Sequence, residues 1–291
     1  MKLYTAAEMS RADKGAQDLG IPGGVLMERA GVAMAEEILA RYPDHLLRAL
    51  VVCGGGNNGG DGFVIARELH RAGAEVAVVA TKDEYSGDPA TNLEVLGNLG
   101  VSVHGPEMLD ELLHGTSLVV DALLGTGFSG EVRESEAALI RQLNDAGVTT
   151  IAVDVPSGVD GSTGEVAGEA VRADLTVCAH AAKVGCVVSP GREHAGETIV
   201  VEIGIPPEAD VEPSLSWTGR GTLRGLVPRT QEPAHKYSAG ALLVVAGSRA
   251  MTGAGVMSVR GAERAGCGIT FLATSAGAAP AVDIALTETI V

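Results

Sequence analysis

The stretch ALVVCGGGNNGGDGFVIAREL, residues 49–69, decides the fold. It opens on an unbroken apolar run, the pattern of a strand buried on both faces, as parallel sheets require. A glycine-rich turn follows, and then a helix carrying Phe63 and Val64. The glycines remove Cβ atoms so that backbone amides can approach a polyanion, and the helix N-terminus adds the positive end of its dipole. Gly54, Gly56 and Gly59 complete a GxGxxG, the dinucleotide fingerprint, yet the next strand, AEVAVVAT, closes without the acidic residue that holds a ribose. Asn57, Asn58 and Asp61 exceed what packing a helix on a strand needs, and the two asparagines offer amide groups to a ligand or cation.

Outward from that stretch the pattern repeats. VSVHG, SLVVDALLG and TTIAVDVPSG read as further buried strands, and helices are expected over residues 60–72, 89–100 and 135–147. Such βαβ units force a parallel, doubly wound sheet with ligand sites at the C-terminal strand ends. ADLTVCAHA and ETIVVEIGIP read as strands completing it. Upstream, Thr5-Ala6-Ala7-Glu8 is a capping box for a helix that Gly20 and Pro22 stop, and a second helix spans residues 22–41. The expected fold over residues 1–206 is α/β, a doubly wound Rossmann-like, mostly parallel sheet in three αβα layers. Residues 207–234, rich in proline and charge without periodicity, read as a linker. ALLVVAGS, a helix over 251–265 and CGITFLATSA begin a second α/β unit, 235–291, which is short for an independent core.

Composition narrows the function classes. Against 21 Lys and Arg stand 37 Asp and Glu, a net charge of −16 over 291 residues, so a nucleic-acid partner, which needs a basic footprint, is not expected. Hydrophobic residues at 46% with 40 glycines describe an α/β enzyme and exclude disorder or a coiled coil. Four cysteines without a CxxC form neither a disulfide framework nor a zinc knuckle, and a cytoplasmic location is the default. Neither a signal peptide nor a membrane span is expected, since no apolar window reaches about 18 residues.

Three further motifs carry chemistry. In DALLGTGFSGEVR, residues 121–133, Asp121 ends an apolar run, where a carboxylate is costly without a cation or donors to compensate it. Gly125, Thr126, Gly127, Ser129 and Gly130 then make a second anion-friendly loop. In AVDVPSGVDG, residues 152–161, Asp154 and Ser157 point to the same rim, and the turn-forming reading of Asp154 stands level with the functional one. Oxygens of Asn58, Asp121 and Ser157, with no convergent His or Cys, describe a site for a hard cation. In HAAKVGCVVSPG, residues 180–191, Lys183 either snorkels to solvent, the commoner outcome, or serves as a cation or proton donor. His180 and His194 have no carboxylate at ligand spacing and read as structural.

Taken in order and spacing, GGGNNGGDGFVIAREL, DALLGTGFSGEVR, VDVPSGVDG and AAKVGCVVSPG resemble the NAD(P)H-hydrate epimerase domain, the YjeF N-terminal family, over about residues 5–206. GIPGGVLMERAG, residues 20–31, fits the same family. Residues 235–274 resemble the opening of the ADP-dependent NAD(P)H-hydrate dehydratase, a ribokinase-like domain often fused to it in a bifunctional repair enzyme. Only that domain's first strands and helices are present, so the dehydratase (lyase) activity, with its ADP or ATP, is expected only of a complete chain. The resemblance implies a hydrate-binding loop on Asn57, Asn58, Gly59, Gly60 and Asp61, and a second on Gly125, Thr126, Gly127, Phe128, Ser129, Gly130 and Glu131. It implies a substrate contact at Asp154 and potassium ligands at Asn58, Asp121 and Ser157.

The implied activity is an isomerase that interconverts the R and S forms of hydrated NADH or NADPH, with a homo-oligomer such as a dimer as the expected form. The hydrated carbon beside the ring nitrogen is a hemiaminal, so loss of hydroxide leaves an iminium ion that water can attack from either face. Asp154 is the candidate acid/base and Lys183 its candidate partner. Two alternatives remain. A nicotinamide-dependent oxidoreductase would turn over oxidised cofactor with a second substrate, and a non-catalytic nucleotide- or protein-binding module would bind without changing the epimer ratio.

Overall fold

From the N-terminus the chain runs through β1 (Lys2–Tyr4), α1 (Ala6–Asp18) and α2 (Gly23–Arg41) before the glycine-rich stretch. The computed structural model describes residues 1–43, 48–226 and 235–291. The alternation then begins: β2 (Arg48–Cys53), α3 (Asn57–Arg71), β3 (Glu75–Ala80), α4 (Gly87–Asn98), β4 (Ser102–His104), α5 (Leu109–Leu113), β5 (Leu118–Ala122), α6 (Glu134–Asp145) and β6 (Thr149–Val153). The remainder of this unit is β7 (Leu175–Ala179), β8 (Ala182–Lys183), α7 (Arg192–Ala195), β9 (Glu197–Val201) and β10 (Leu215–Ser216). The expected helices at 60–72, 89–100 and 135–147 are α3, α4 and α6, each beginning one to three residues earlier than the sequence suggests.

Seven strands form one parallel sheet in the order β4-β3-β2-β5-β6-β7-β9. Because side chains alternate across a strand, each apolar run feeds two cores. Ala49, Val51 and Cys53 pack with Met34 and Ile38 of α2 and Phe63 of α3, while Leu50 and Val52 pack with Leu109 and Leu112 of α5 and Ile140 of α6. This is the expected three-layer α/β architecture. The strand order reverses between β2 and β5, and in open α/β sheets the crevice outside the C-terminal strand ends at such a reversal is where ligands bind. No helix among the described residues is long and apolar enough to cross a membrane.

The segment read as a linker divides in two. Chain contacts group Met1–Thr218 into one compact unit and Gly219–Val291 into another, so residues 207–218 belong with the sheet domain. Ala209 is buried in its core, and β10 pairs antiparallel with β1, which in turn pairs in parallel with β8. The physical reason is a polar anchor that composition does not reveal. Asp210 accepts from Lys2 Nζ at 2.5 Å and from the Tyr4 hydroxyl, and lies 3.1 Å from His180 Nε2. Burial opposes its ionisation, but these partners outweigh it and hold the carboxyl far below its ordinary range. Residues 227–234 of the expected linker lie outside the described residues.

In the second unit α8 (Arg220–Leu226) precedes two parallel strands, β11 (Ala241–Val245) and β12 (Ile269–Ala273), joined through α9 (Gly253–Arg264) and followed by α10 (Ala279–Ala285). Val259, Leu272, Val282 and Leu286 form its small core, while Val245, Met257 and Ile284 remain exposed.

The capping box predicted at the start of α1 is complete: the Thr5 side chain accepts from Glu8 N, and Glu8 Oε2 accepts from Thr5 N at 2.8 Å. Glu8 Oε1 also accepts from Ser214 N at 2.8 Å, so the same carboxylate fastens the returning segment. The backbone donor at Thr5 pulls the Glu8 carboxyl down to about 2, with Ser214 adding to the effect against burial. Its stabilisation is therefore complete above the usual 4.5 and is lost as pH falls from there toward 2. Glu8→Ala is expected to lower the unfolding free energy at pH 7 by about 1–2 kcal/mol. In urea unfolding across a pH series the gap to wild type should close in that acidic window, and a gap independent of pH contradicts the assignment.

Candidate functional site

The crevice rim is built first from glycine. A Cβ on Gly54 would lie 1.8 Å from the Leu123 carbonyl oxygen, and one on Gly59 would lie 1.9 Å from the Gly54 carbonyl oxygen. Only glycine lets the loop after β2 fold onto itself and onto the end of β5, where Gly54 N donates to Ala122 O at 3.0 Å. Gly60 instead faces Met27 of α2, so its part is helix packing. Asn57 opens α3 in an exposed position. The second loop begins at Gly125, against the Asn58 side chain, and turns through a hydrogen bond from Phe128 N to Gly125 O at 3.0 Å. Phe128 packs onto the core on the α6 side and anchors the loop, while Gly127, Ser129, Gly130 and Glu131 are exposed and Thr126 is half-buried.

The three residues read as cation ligands do converge. Asn58 Nδ2 donates to Leu124 O at 3.0 Å, and Leu124 N donates to Ser157 Oγ at 2.8 Å. Ser157 Oγ donates to Asp121 Oδ1 at 2.6 Å, and Ser157 N donates to Asp121 Oδ2 at 2.9 Å. Asp121 is fully buried and has no ion-pair partner among the described residues. Burial pushes its carboxyl up to about 6, and the Ser157 and Leu123 donors offset only part of that rise. A buried carboxylate short of positive charge, next to a hydroxyl and an amide, fits a hard, oxygen-liganded cation.

Deeper along the rim, β6 and β7 end in the same device. Asp154 and His180, the residues directly after each strand, hold left-handed backbone at φ 67° and 61°. Each N–H donates to the neighbouring strand, Asp154 N to Val177 O at 2.9 Å and His180 N to Val201 O at 2.8 Å. Asp tolerates this backbone better than most residues. The turn brings Asp154 Oδ1 to 2.5 Å from Lys183 Nζ and within reach of Ala179 N at 3.1 Å. Lys183 does not snorkel. It is fully buried, and its remaining protons go to Ala179 O at 2.7 Å and Ala181 O at 2.9 Å. Burial works against the ammonium, but the Asp154 carboxylate prevails and holds it above its ordinary range. With all three protons engaged, Lys183 is the fixed counter-charge of Asp154, whose Oδ2 has no hydrogen-bond partner among the described residues.

Two more carboxyl groups feel the charges of this pair. Asp61, in the first turns of α3, is pushed well above its ordinary range by burial, with the Asp154 and Asp13 charges adding to the rise and Lys183 opposing it. Asp13 of α1 is raised by burial too, with Lys183 pulling the other way. Sequence reasoning missed Asp13 because it sits inside an ordinary amphipathic helix without a motif. The reading of His180 as lacking a carboxylate also changes, since Asp210, thirty residues on, supplies it across the returning segment. His194 Nδ1 lies 3.1 Å from Val171 O.

The sequence pattern described as YjeF-related protein N-terminus matches residues 23–185. A protein named bifunctional NAD(P)H-hydrate repair enzyme Nnr from Pyrobaculum aerophilum is 40% identical over 286 residues, 96% of this chain and 56% of that one. The protein of the same name from Moorella thermoacetica is 38% identical over 290 residues, 95% of this chain and 55% of that one. The chain thus spans about half the length of these relatives. In fold it is similar to the crystal structure of yeast ynu0, with a TM-score of 0.62 at 24% identity over 69% of this chain and 88% of that one.

Lys183→Ala would leave the Asp154 carboxylate without its counter-charge in a buried place. A loss of about 3–5 kcal/mol in chemical unfolding is expected. Lys183→Ala combined with Asp154→Asn should recover part of it, and a single variant as stable as wild type contradicts the description of the pair.

Proposed function

The chain belongs to the family of YjeF-related protein N-termini, and from that premise we propose that it is an NAD(P)H-hydrate epimerase, interconverting the R and S forms of hydrated NADH and NADPH. The observation that carries the reading is the Asp154–Lys183 pair at 2.5 Å, set on the same rim as both glycine loops. An epimerase of a hemiaminal needs one group to give a proton and one to take it. Asp154, tied to an ammonium, is the base, with Oδ2 free to take a proton from the attacking water. Asp61, in the first turns of α3 beside the glycine loop and raised well above its ordinary range, would give the proton. The step balances: Asp61 gives its proton to the ring hydroxyl, which leaves as water, and a water adding to the iminium carbon from the other face passes a proton to Asp154. For the opposite epimer the two carboxyl groups exchange roles.

The amides of the first loop, with Asn57, Asn58 and Gly59, would hold the diphosphate, and Thr126 to Glu131 would close over the substrate. Asn58, Asp121 and Ser157 would hold a potassium ion, which would supply positive charge beside the loops and favour the ionised form of Asp121. Binding and orientation, not bond making, are the work of these groups. On this reading the chain acts in the cytoplasm as a homo-oligomer. In a chain that carries the whole ribokinase-like domain, the ADP- or ATP-dependent dehydration that restores the cofactor would belong to that domain, which resembles this sequence from residue 235 on.

The test incubates the purified chain with the R epimer of NADPH hydrate, with and without potassium, and follows the epimers by chromatography. Conversion to the S epimer without nucleotide is expected, faster with potassium. Asp154→Asn, which keeps a residue suited to the left-handed turn, should slow it at least about a hundredfold with the fold intact. Ligand binding with no change in epimer ratio refutes the reading and leaves a binding module. Potassium should also raise the thermal unfolding midpoint, and that rise should vanish in Asp121→Asn.

A further inference from the structure

We propose that Lys82 recognises the 2′-phosphate of the substrate's adenosine ribose, so that the site prefers hydrated NADPH to hydrated NADH; the inference deepens the function proposed above and rests on it. The sheet order β4-β3-β2-β5-β6-β7 places the glycine loop after β2, the first strand of the seven-stranded sheet, and β3 beside it, as in a dinucleotide-binding domain. In that arrangement the diphosphate lies on the loop and the two halves of the ligand lie to either side of the crevice. Asp154 and Lys183, at the ends of β6 and beyond β7, take the nicotinamide side. The adenosine ribose then lies over the end of β3, where a carboxylate selects a free 2′-hydroxyl and a cation selects a 2′-phosphate.

The residue found there is Lys82, about 20 residues beyond the glycine loop, the spacing at which a ribose-selecting group is expected. Its place is built. Thr81 N and Oγ1 both donate to Cys53 O, at 3.0 and 3.2 Å, which locks the end of β3 to the end of β2. The Lys82 stem lies on Gly55, with Cγ and Cε only 2.8 and 3.0 Å from where a Cβ would stand, so Gly55 leaves room for the lysine. The side chain is exposed, and its ammonium has no hydrogen-bond or ion-pair partner among the described residues. In a chain of net charge −16 a cation held beside the loop without a carboxylate is poised for an anion of the ligand. Asp83 and Glu84 follow and are exposed, but Lys82 is the charged residue that lies on the loop.

Titration calorimetry with adenosine 2′,5′-bisphosphate and with 5′-AMP tests this without depending on catalysis. The wild-type chain should bind the bisphosphate about tenfold tighter or more, the gain of a charge-assisted hydrogen bond. Lys82→Ala should bring the two affinities to near equality, and Lys82→Arg should keep most of the preference. In turnover, the ratio of kcat/KM for hydrated NADPH over hydrated NADH should fall by a similar factor in Lys82→Ala. Equal affinities in wild type overturn the proposal, as does an equal weakening of both probes by Lys82→Ala, which would give the lysine to the 5′-phosphate. A chain that epimerises neither hydrate refutes the proposed function instead, and the two-probe comparison still decides the role of Lys82.

Discussion

An ammonium and a carboxylate buried together, Lys183 with Asp154, set the constraint around which the sheet domain closes. Burying either charge alone is costly, so the surroundings must supply geometry as well as attraction. They do so with the left-handed turn at Asp154 and with two carbonyl oxygens that take the remaining lysine protons. Lys183 lies on β8, β8 pairs with β1, and β1 pairs with β10 of the returning segment. Asp210 in that segment holds Lys2, Tyr4 and His180 together. The small three-stranded sheet is thus a clasp over the ion pair, and residues beyond the seven-stranded sheet are needed to shut it.

The rim is short of positive charge for the carboxyl groups it gathers. Asp13, Asp61 and Asp121 all have their protons held more tightly than in water, because burial disfavours their charged forms, while Asp154 has an ammonium to itself. On the proposed reading Asp61 and Asp154 would serve as acid and base, and a cation bound at Asp121 would be a stabilising addition. The same shortage gives meaning to a lysine without a carboxylate beside the first loop.

The glycines act by different physical means. Gly54 and Gly59 permit backbone to touch backbone, Gly60 lets α3 approach α2, and Gly55 leaves space for a lysine stem. Only the first pair answers to the fingerprint logic of a phosphate loop. A run of glycines that reads as one motif is therefore several independent packing solutions joined end to end.

The sequence by itself determined what depends on periodicity and local chemistry. Unbroken apolar runs between helices imposed the parallel sheet, the Thr5–Glu8 capping box set the start of α1, and the motifs at strand ends marked Asn58, Asp121, Asp154 and Ser157, because strand C-termini of such a sheet share one rim. Tertiary structure decided what depends on residues far apart in the chain. Lys183 could as well have reached solvent until β1 and β8 closed over it, Asp13 had no motif, and the segment 207–218 had the composition of a linker until Asp210 found Lys2, Tyr4 and His180. The reason is physical: a secondary-structure period is written within a few neighbouring residues, whereas the proton affinity and partner of a charged group are set by how much water the rest of the chain removes from around it.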